Sequence, residues 1–202
     1  MHDDAKEFAL GYLEKLAGLM RRTSADSLAV AMKMVGQCWR DGKHVFIVGN
    51  GGSASTASHW ACDLGKGAVF PGVDRLRVLS LTDNVAHLSA IANDIGYDAI
   101  FEEQLRNLLQ GGDLLIGISA SGNSANVVRA FEYAGSQGAR TLAFVGFDGG
   151  RLVRLADHAV HFDSHEYGPV EDMQLIANHL ITDWLRKVVL PGAAACARGS
   201  QT

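Results

Sequence analysis

Two short apolar runs, each broken by a turn of small residues that opens a helical pattern, constrain this chain more than any other feature. Leu114-Leu115-Ile116 leads into Gly-Ile-Ser-Ala-Ser-Gly-Asn-Ser-Ala-Asn over 117–126, and His44-Val45-Phe46-Ile47-Val48 leads into Gly49-Asn50-Gly51-Gly52-Ser53. Runs this short and continuously apolar suit strands buried on both faces better than amphipathic helices. Similar runs at 76–81 and 141–145, with a short alternation around Ala159 and His161, bring the expected strands to five. Strands alternating with helical segments predict an α/β fold: a doubly wound five-stranded parallel sheet with right-handed crossovers and helices on both faces. Ligands of such sheets bind beyond the carboxyl ends of the strands, where both small-residue turns fall.

Ahead of the first strand, Phe8, Tyr12, Leu13, Leu16, Leu19 and Met20 recur at helical spacing. After a break at 23–26, so do Leu28, Ala31, Met32, Val35 and Trp39, until Gly42 ends the pattern. These two helices are more than the sheet requires, and their apolar stripes need either that sheet or a neighbouring subunit as partner. Later helices are expected near 54–64, 85–92 and 97–109, after the serine turn, and over 170–189. The expected organisation is one domain over 1–189, with N-terminal helices at 1–42 and the layered core at 43–189. The small, polar 190–202 is expected to be a flexible tail.

The 202 residues suffice for one full-sized core, and a net charge of -4 without a long Lys/Arg run argues against a nucleic-acid surface. Cys38, Cys62 and Cys196 are odd in number and widely spaced, which suits reduced thiols. No basic leader and no apolar run of roughly 20 residues is visible, so no membrane association and a cytoplasmic location are expected.

The serine turn reads as a phosphate seat. Free N–H groups at a helix start, the positive end of its dipole and the hydroxyls of Ser119, Ser121 and Ser124 converge there, and Gly122 permits close backbone approach. The simpler alternative is a Ser/Gly-rich turn that only caps its helix. The turn lacks the spacing of a nucleotide P-loop or a dinucleotide site, so a phosphorylated small molecule is expected and no nucleotide cofactor. In the first turn, Asn50 and Ser53 are placed to hold polar ligand groups while Gly51 and Gly52 leave room. His59 and Asp63 lie four residues apart on one helix face. On its own, His59 also fits an ordinary half-buried histidine. His158, His161 and His165 read as a solvated edge, and Asp148 with its glycines as a turn.

Gly-Asn-Gly-Gly-Ser-Ala with a His six positions after Ser53, Ala-Asn-Asp at 92–94, Ile-Ser-Ala-Ser-Gly-Asn-Ser and a late helix bearing His179 together resemble the phosphoheptose isomerases of the sugar-isomerase (SIS) superfamily. The resemblance extends to about Val189. It implies a flavodoxin-like sheet, a homotetramer with active sites at subunit interfaces, and conversion of sedoheptulose 7-phosphate to D-glycero-D-manno-heptose 7-phosphate, with zinc, one per subunit, as the implied cofactor. It places substrate contacts on Asn50, Gly51, Gly52, Ser53, Asn93, Asp94, Ser119, Ala120, Ser121, Ser124 and Glu171. Metal positions fall on His59, Asp63, Glu171 and His179, with Asp63, Glu171 and His179 as catalytic groups.

The chain departs from the family pattern at three of these positions: Ala120 replaces Thr, Asp63 replaces Glu and Glu171 replaces Gln. Isomerisation through an enediol needs a base near the reacting carbons and a donor or cation for the developing oxyanion. The shortened Asp63 suggests that Glu171 takes or shares the base work. Glu171 and His179 are about 80° apart round an ideal helix, so Asp172 is an alternative partner for His179. The rival reading is a non-catalytic phosphosugar-binding scaffold similar to the DnaA initiator-associating proteins, which lack the carboxylate and late His kept here. A sugar-phosphate sensing module is disfavoured by the lack of a DNA-binding extension.

Overall fold

The computed structural model describes residues 2–199. Helices α1 (His2–Arg22) and α2 (Ala25–Arg40) precede β1 (His44–Gly49) and α3 (Gly52–Cys62), which continues through a π-helical turn, Asp63–Gly67. Then come β2 (Arg77–Ser80), α4 (Val85–Asp94), α5 (Glu102–Leu108), β3 (Leu114–Ser119) and α6 (Ala125–Ser136). The chain closes with β4 (Arg140–Val145), α7 (Leu152–Leu155), β5 (His158–His161), α8 (Tyr167–Trp184) and α9 (Leu190–Gly199).

All five strands are parallel, in the order β2-β1-β3-β4-β5. Ile47 pairs with Ile116 across β1 and β3, and Ile116 with Leu142 across β3 and β4. Strand residues alternate between two cores, as a sheet covered on both faces requires. Val45, Ile47, Ile116 and Phe144 join Trp60, Phe162 and Met173 on one side. Phe46, Val48, Leu115 and Val145 join Phe101, Leu105 and Phe131 on the other. The order of connection reverses between β1 and β3, so the two small-residue turns flank the crevice where this topology binds ligands.

Three local expectations change. The 97–109 segment is one 3-10 turn, Tyr97–Ala99, followed by the short α5, because Gly96 adopts φ 143 and breaks the run from α4. Helix α8 starts at Tyr167 and passes through a second π-helical turn, Leu185–Val189, into α9. The tail expected to be irregular is therefore helical to Gly199. Its run of alanines is the best helix former, and extending an existing helix needs no new nucleus. Helix α1 packs on the domain near Leu19, whereas Phe8, Leu10 and Leu13 remain exposed. Among the described residues, no helix is long and apolar enough to cross a membrane.

Candidate active site

The serine turn is held by its own bonds. Ser119 Oγ accepts from Gly122 N–H at 3.2 Å, and Ser121 Oγ accepts from Asn123 N–H at 3.3 Å. Ser124 occupies the N-cap of α6, yet its hydroxyl makes no capping bond and lies 3.5 Å from Ser119 Oγ. A hydroxyl kept off the helix it should cap remains available to a ligand, so capping alone does not account for the turn. Ser119, Ser121 and Ser124, with Asn50, Gly52, Ser53, Ala120 and Glu171, line a cleft of about 250 Å³.

Gly122 serves a different purpose from the one expected. At φ 64, a Cβ built there would lie 2.0 Å from Gly149 O, so the glycine admits the 146–150 loop rather than a ligand. That loop clamps the turn: Gly146 N–H donates to Ala120 O at 2.9 Å and Leu152 N–H to Gly122 O at 3.1 Å.

At the end of β1, Asn50 is committed to protein contacts. Its amide exchanges hydrogen bonds of 2.8 and 2.9 Å with that of buried Asn126, and Tyr97 Oη donates to Asn50 Oδ1 at 3.0 Å. This ties the two turns together. Gly51, at φ 55, faces open space, but a Cβ at Gly52 would meet a Glu171 carboxylate oxygen at 2.8 Å. The room left by Gly52 is thus filled by Glu171, which sits beside the amino end of α3, where the helix dipole favours an anion.

Two turns further along α8, His179 reaches α3. His59 Nε2 lies 3.0 Å from Asp63 Oδ2, His179 Nε2 3.6 Å from the same oxygen, and the two imidazole nitrogens 3.3 Å apart. Asp63 opens the π-helical turn, and buried Asn178 donates to its Oδ2 at 2.7 Å. No other hydrogen bond or ion pair among the described residues uses Asp63 Oδ1. The three groups can hold a metal ion. Tetrahedral zinc with bonds of about 2.0–2.1 Å needs donors roughly 3.3 Å apart, and the donor set, two imidazoles and a carboxylate, matches. Glu171, expected as a fourth ligand, lies in the serine cleft instead. Asp172 is also elsewhere: it accepts from Tyr12 Oη at 2.5 Å, anchoring α1 to α8, and this bond pushes the tyrosine hydroxyl up to about 12.

Asn93 and Asp94 hydrogen-bond each other at 2.7 Å on the exposed end of α4, and no described contact joins them to the cleft. His158 contacts Ser27 O at 2.9 Å, His161 contacts Phe147 O at 2.7 Å, and His165 lies 3.6 Å from Asp148, so these histidines serve the edge of the fold. Gly149 N–H donates to Gly146 O at 2.8 Å, closing the turn that holds Asp148. Sequence reasoning missed Asn126 and Asn178. Asn126 lies within the serine motif and Asn178 beside His179, but neither type nor spacing marks a buried amide that orients another residue.

The SIS domain family model matches residues 11–146. A phosphoheptose isomerase from Sulfurimonas denitrificans is 40% identical over 154 residues, covering 75% of this chain and 77% of that protein. One from Aliarcobacter butzleri is 36% identical over 176 residues, covering 87% and 92%. The structure of the phosphoheptose isomerase from Neisseria gonorrhoeae superposes with a TM-score of 0.84 at 27% identity, over 91% of this chain and 100% of that one.

Proposed function

We propose that this chain, which belongs to the SIS domain family and is an isomerase, converts sedoheptulose 7-phosphate to D-glycero-D-manno-heptose 7-phosphate through an enediol. The observation that carries the proposal is the spacing of the serine seat and the His59–Asp63–His179 trio along α8. Glu171 at the seat and His179 in the trio are about 12 Å apart along the helix axis, from its ~1.5 Å rise per residue. An extended seven-carbon chain with a terminal phosphate spans on the order of 10 Å, given carbon–carbon bonds of about 1.5 Å. The phosphate therefore occupies the serine seat and the carbonyl end reaches the trio.

Each group then has a role. Ser119, Ser121, Ser124 and the α6 amino end bind the phosphate. Glu171, beside the seat, accepts hydrogen bonds from the sugar hydroxyls nearest the phosphate instead of taking the base work that its sequence position suggested. Asp63 is anchored through Oδ2, leaving Oδ1 to take the proton from one carbon and return it to the next, while His179 moves the hydroxyl proton. Where His59, Asp63 and His179 instead hold zinc, His179 Nε2 is a ligand and no longer the proton carrier, and the ion would supply Lewis-acid stabilisation of the developing oxyanion.

Assembly completes the site in this reading. Phe8, Val85 and Ile95 are 76%, 72% and 61% exposed, a pattern that supports a homotetramer in which Asn93 and Asp94 reach a neighbour's cleft. The proposed location is the cytoplasm, where Cys38 and Cys62, both unbridged, stay reduced.

The test is turnover of sedoheptulose 7-phosphate by metal-free and zinc-loaded protein, with proton exchange followed at the carbon beside the carbonyl. Turnover with exchange is expected. Tight phosphosugar binding with no exchange in either form would favour the binding-scaffold reading. Glu171→Gln should raise KM and spare most of kcat; a collapse of kcat would return the base to Glu171.

A further inference from the structure

A second cleft lies at the opposite, amino-terminal edge of the sheet. Lys43 immediately precedes β1, and Arg75 and Arg77 enter β2. The six residues of β1 separate this edge from Asn50, which lines the serine cleft, by roughly 20 Å, at about 3.3 Å per strand residue. The cleft has a volume of about 750 Å³, three times that of the serine cleft and within the range of small-molecule sites.

Its lining is strongly one-sided in charge. Arg40, Lys43, Arg75 and Arg77 face a single carboxylate, Asp74. Two of these cations are partly engaged: Lys43 Nζ donates to Gly111 O at 2.7 Å, and Arg40 Nη2 to Gln37 Oε1 at 2.9 Å. The side chains of Arg75 and Arg77 have no hydrogen-bond or ion-pair partner among the described residues. By contrast, Arg106, Arg129, Arg140, Arg151 and Arg186 each lie against a carboxylate. On a chain of net charge -4, leaving two exposed guanidinium groups unpaired beside a third and a lysine concentrates positive potential that attracts anions.

The cleft also has a fixed aromatic wall. Trp39 Nε1 donates to Asp74 O at 2.8 Å, which joins the end of α2 to the segment that carries the two free arginines. Guanidinium groups offer paired donors suited to phosphate oxygens, and an indole offers a flat apolar surface. The ligand that satisfies both is a phosphate chain attached to a planar base.

We propose that this cleft binds a nucleoside diphosphate, with Arg75 and Arg77 on its phosphates and Trp39 beside its base, as a site separate from the serine cleft. The inference is independent of the isomerase reading, because it uses none of the residues assigned to that reaction. The bound ligand ties the β2 entry to the end of α2, across the sheet from the catalytic end.

Calorimetric titration of the full-length protein with ADP, pyrophosphate and inorganic phosphate tests this. The wild type is compared with Arg75→Gln/Arg77→Gln and with Ser121→Ala/Ser124→Ala. ADP is expected to bind the wild type and the serine variant alike, at least tenfold more weakly to the arginine variant, and more weakly as salt rises. Pyrophosphate should bind less tightly than ADP, and inorganic phosphate least. Trp39 fluorescence should respond to ADP in the serine variant. Both arginines are exposed, so the double variant should melt with the wild type; if it does not, Arg75→Lys/Arg77→Lys is used, which keeps the charge and loses the paired donors. The proposal is overturned if ADP does not bind, if only the serine variant loses binding, or if ADP binds no better than phosphate.

Discussion

The serine turn keeps its shape through bonds within one stretch of chain and one loop laid across it, whereas the His59–Asp63–His179 trio exists only because α3 and α8 pack at a particular rotation. Ser119, Ser121, Gly122 and Asn123 bond to one another within five residues. The two histidines of the trio are 120 residues apart in sequence, and Asn178 is 115 residues from the Asp63 it orients. The shape of the turn can thus be encoded locally, but a trio assembled from separate helices depends on the whole core. Damage should differ accordingly: changes in the turn should show first in folding or phosphate affinity, and changes in the trio in turnover.

The sharpest contrast is His179→Ala. Removing an exposed imidazole should leave the melting temperature nearly unchanged while kcat falls by about 10³-fold, the range for loss of a positioned acid–base group; a tenfold loss or less would remove His179 from the chemistry. Gly122→Ala should do the reverse. A Cβ 2.0 Å from Gly149 O, on a backbone with φ 64, should cost about 3 kcal/mol or more in denaturant unfolding. Unchanged stability would mean that the 146–150 loop does not clamp the turn.

Asn178→Leu tests whether the trio needs its buried support. Losing the amide beside Asp63 should lower zinc affinity by about tenfold to a hundredfold, as for other groups that orient a metal ligand. Phosphosugar affinity should stay close to that of the wild type; equal loss of both would merge the two regions into one unit.

The smallest effect lies outside both. Burial would push the Glu102 carboxyl up, but hydrogen bonds from Arg129 and Arg106 outweigh it and hold the group below its usual range. Its stabilisation is therefore complete above the ordinary carboxylate pKa and lost as pH falls through the lowered one. Glu102→Gln should flatten the decline of stability below about pH 4.5, by at most about 2 kcal/mol. An unchanged acid limb would assign that decline to other carboxylates.

How far each region was legible follows from the same distinction. The strand runs at 44–48 and 114–116 and the turns after them were readable because continuous burial and turn chemistry leave their mark within a few residues. Gly122 was correctly singled out, but for the wrong neighbour, since the loop that crosses it lies almost thirty residues on. The α9 helix was missed because an alanine-rich segment has no periodicity, although it needs none to extend a helix already formed.

By itself, the sequence determined the layered sheet, the crevice at its carboxyl edge and the hydroxyl-rich turn that opens α6, because these depend on local periodicity and short-range backbone geometry. Only the tertiary structure decided that His59, Asp63 and His179 meet, that Glu171 turns to Gly52, that Asp172 is spent on Tyr12, and that Asn126 and Asn178 are buried supports. The physical reason is helix rotation. Residues one or two positions apart on α8 point in directions about 100° or 200° apart, and which direction faces α3 is fixed by the packing of both helices on the sheet, not by any residue's neighbours in the chain.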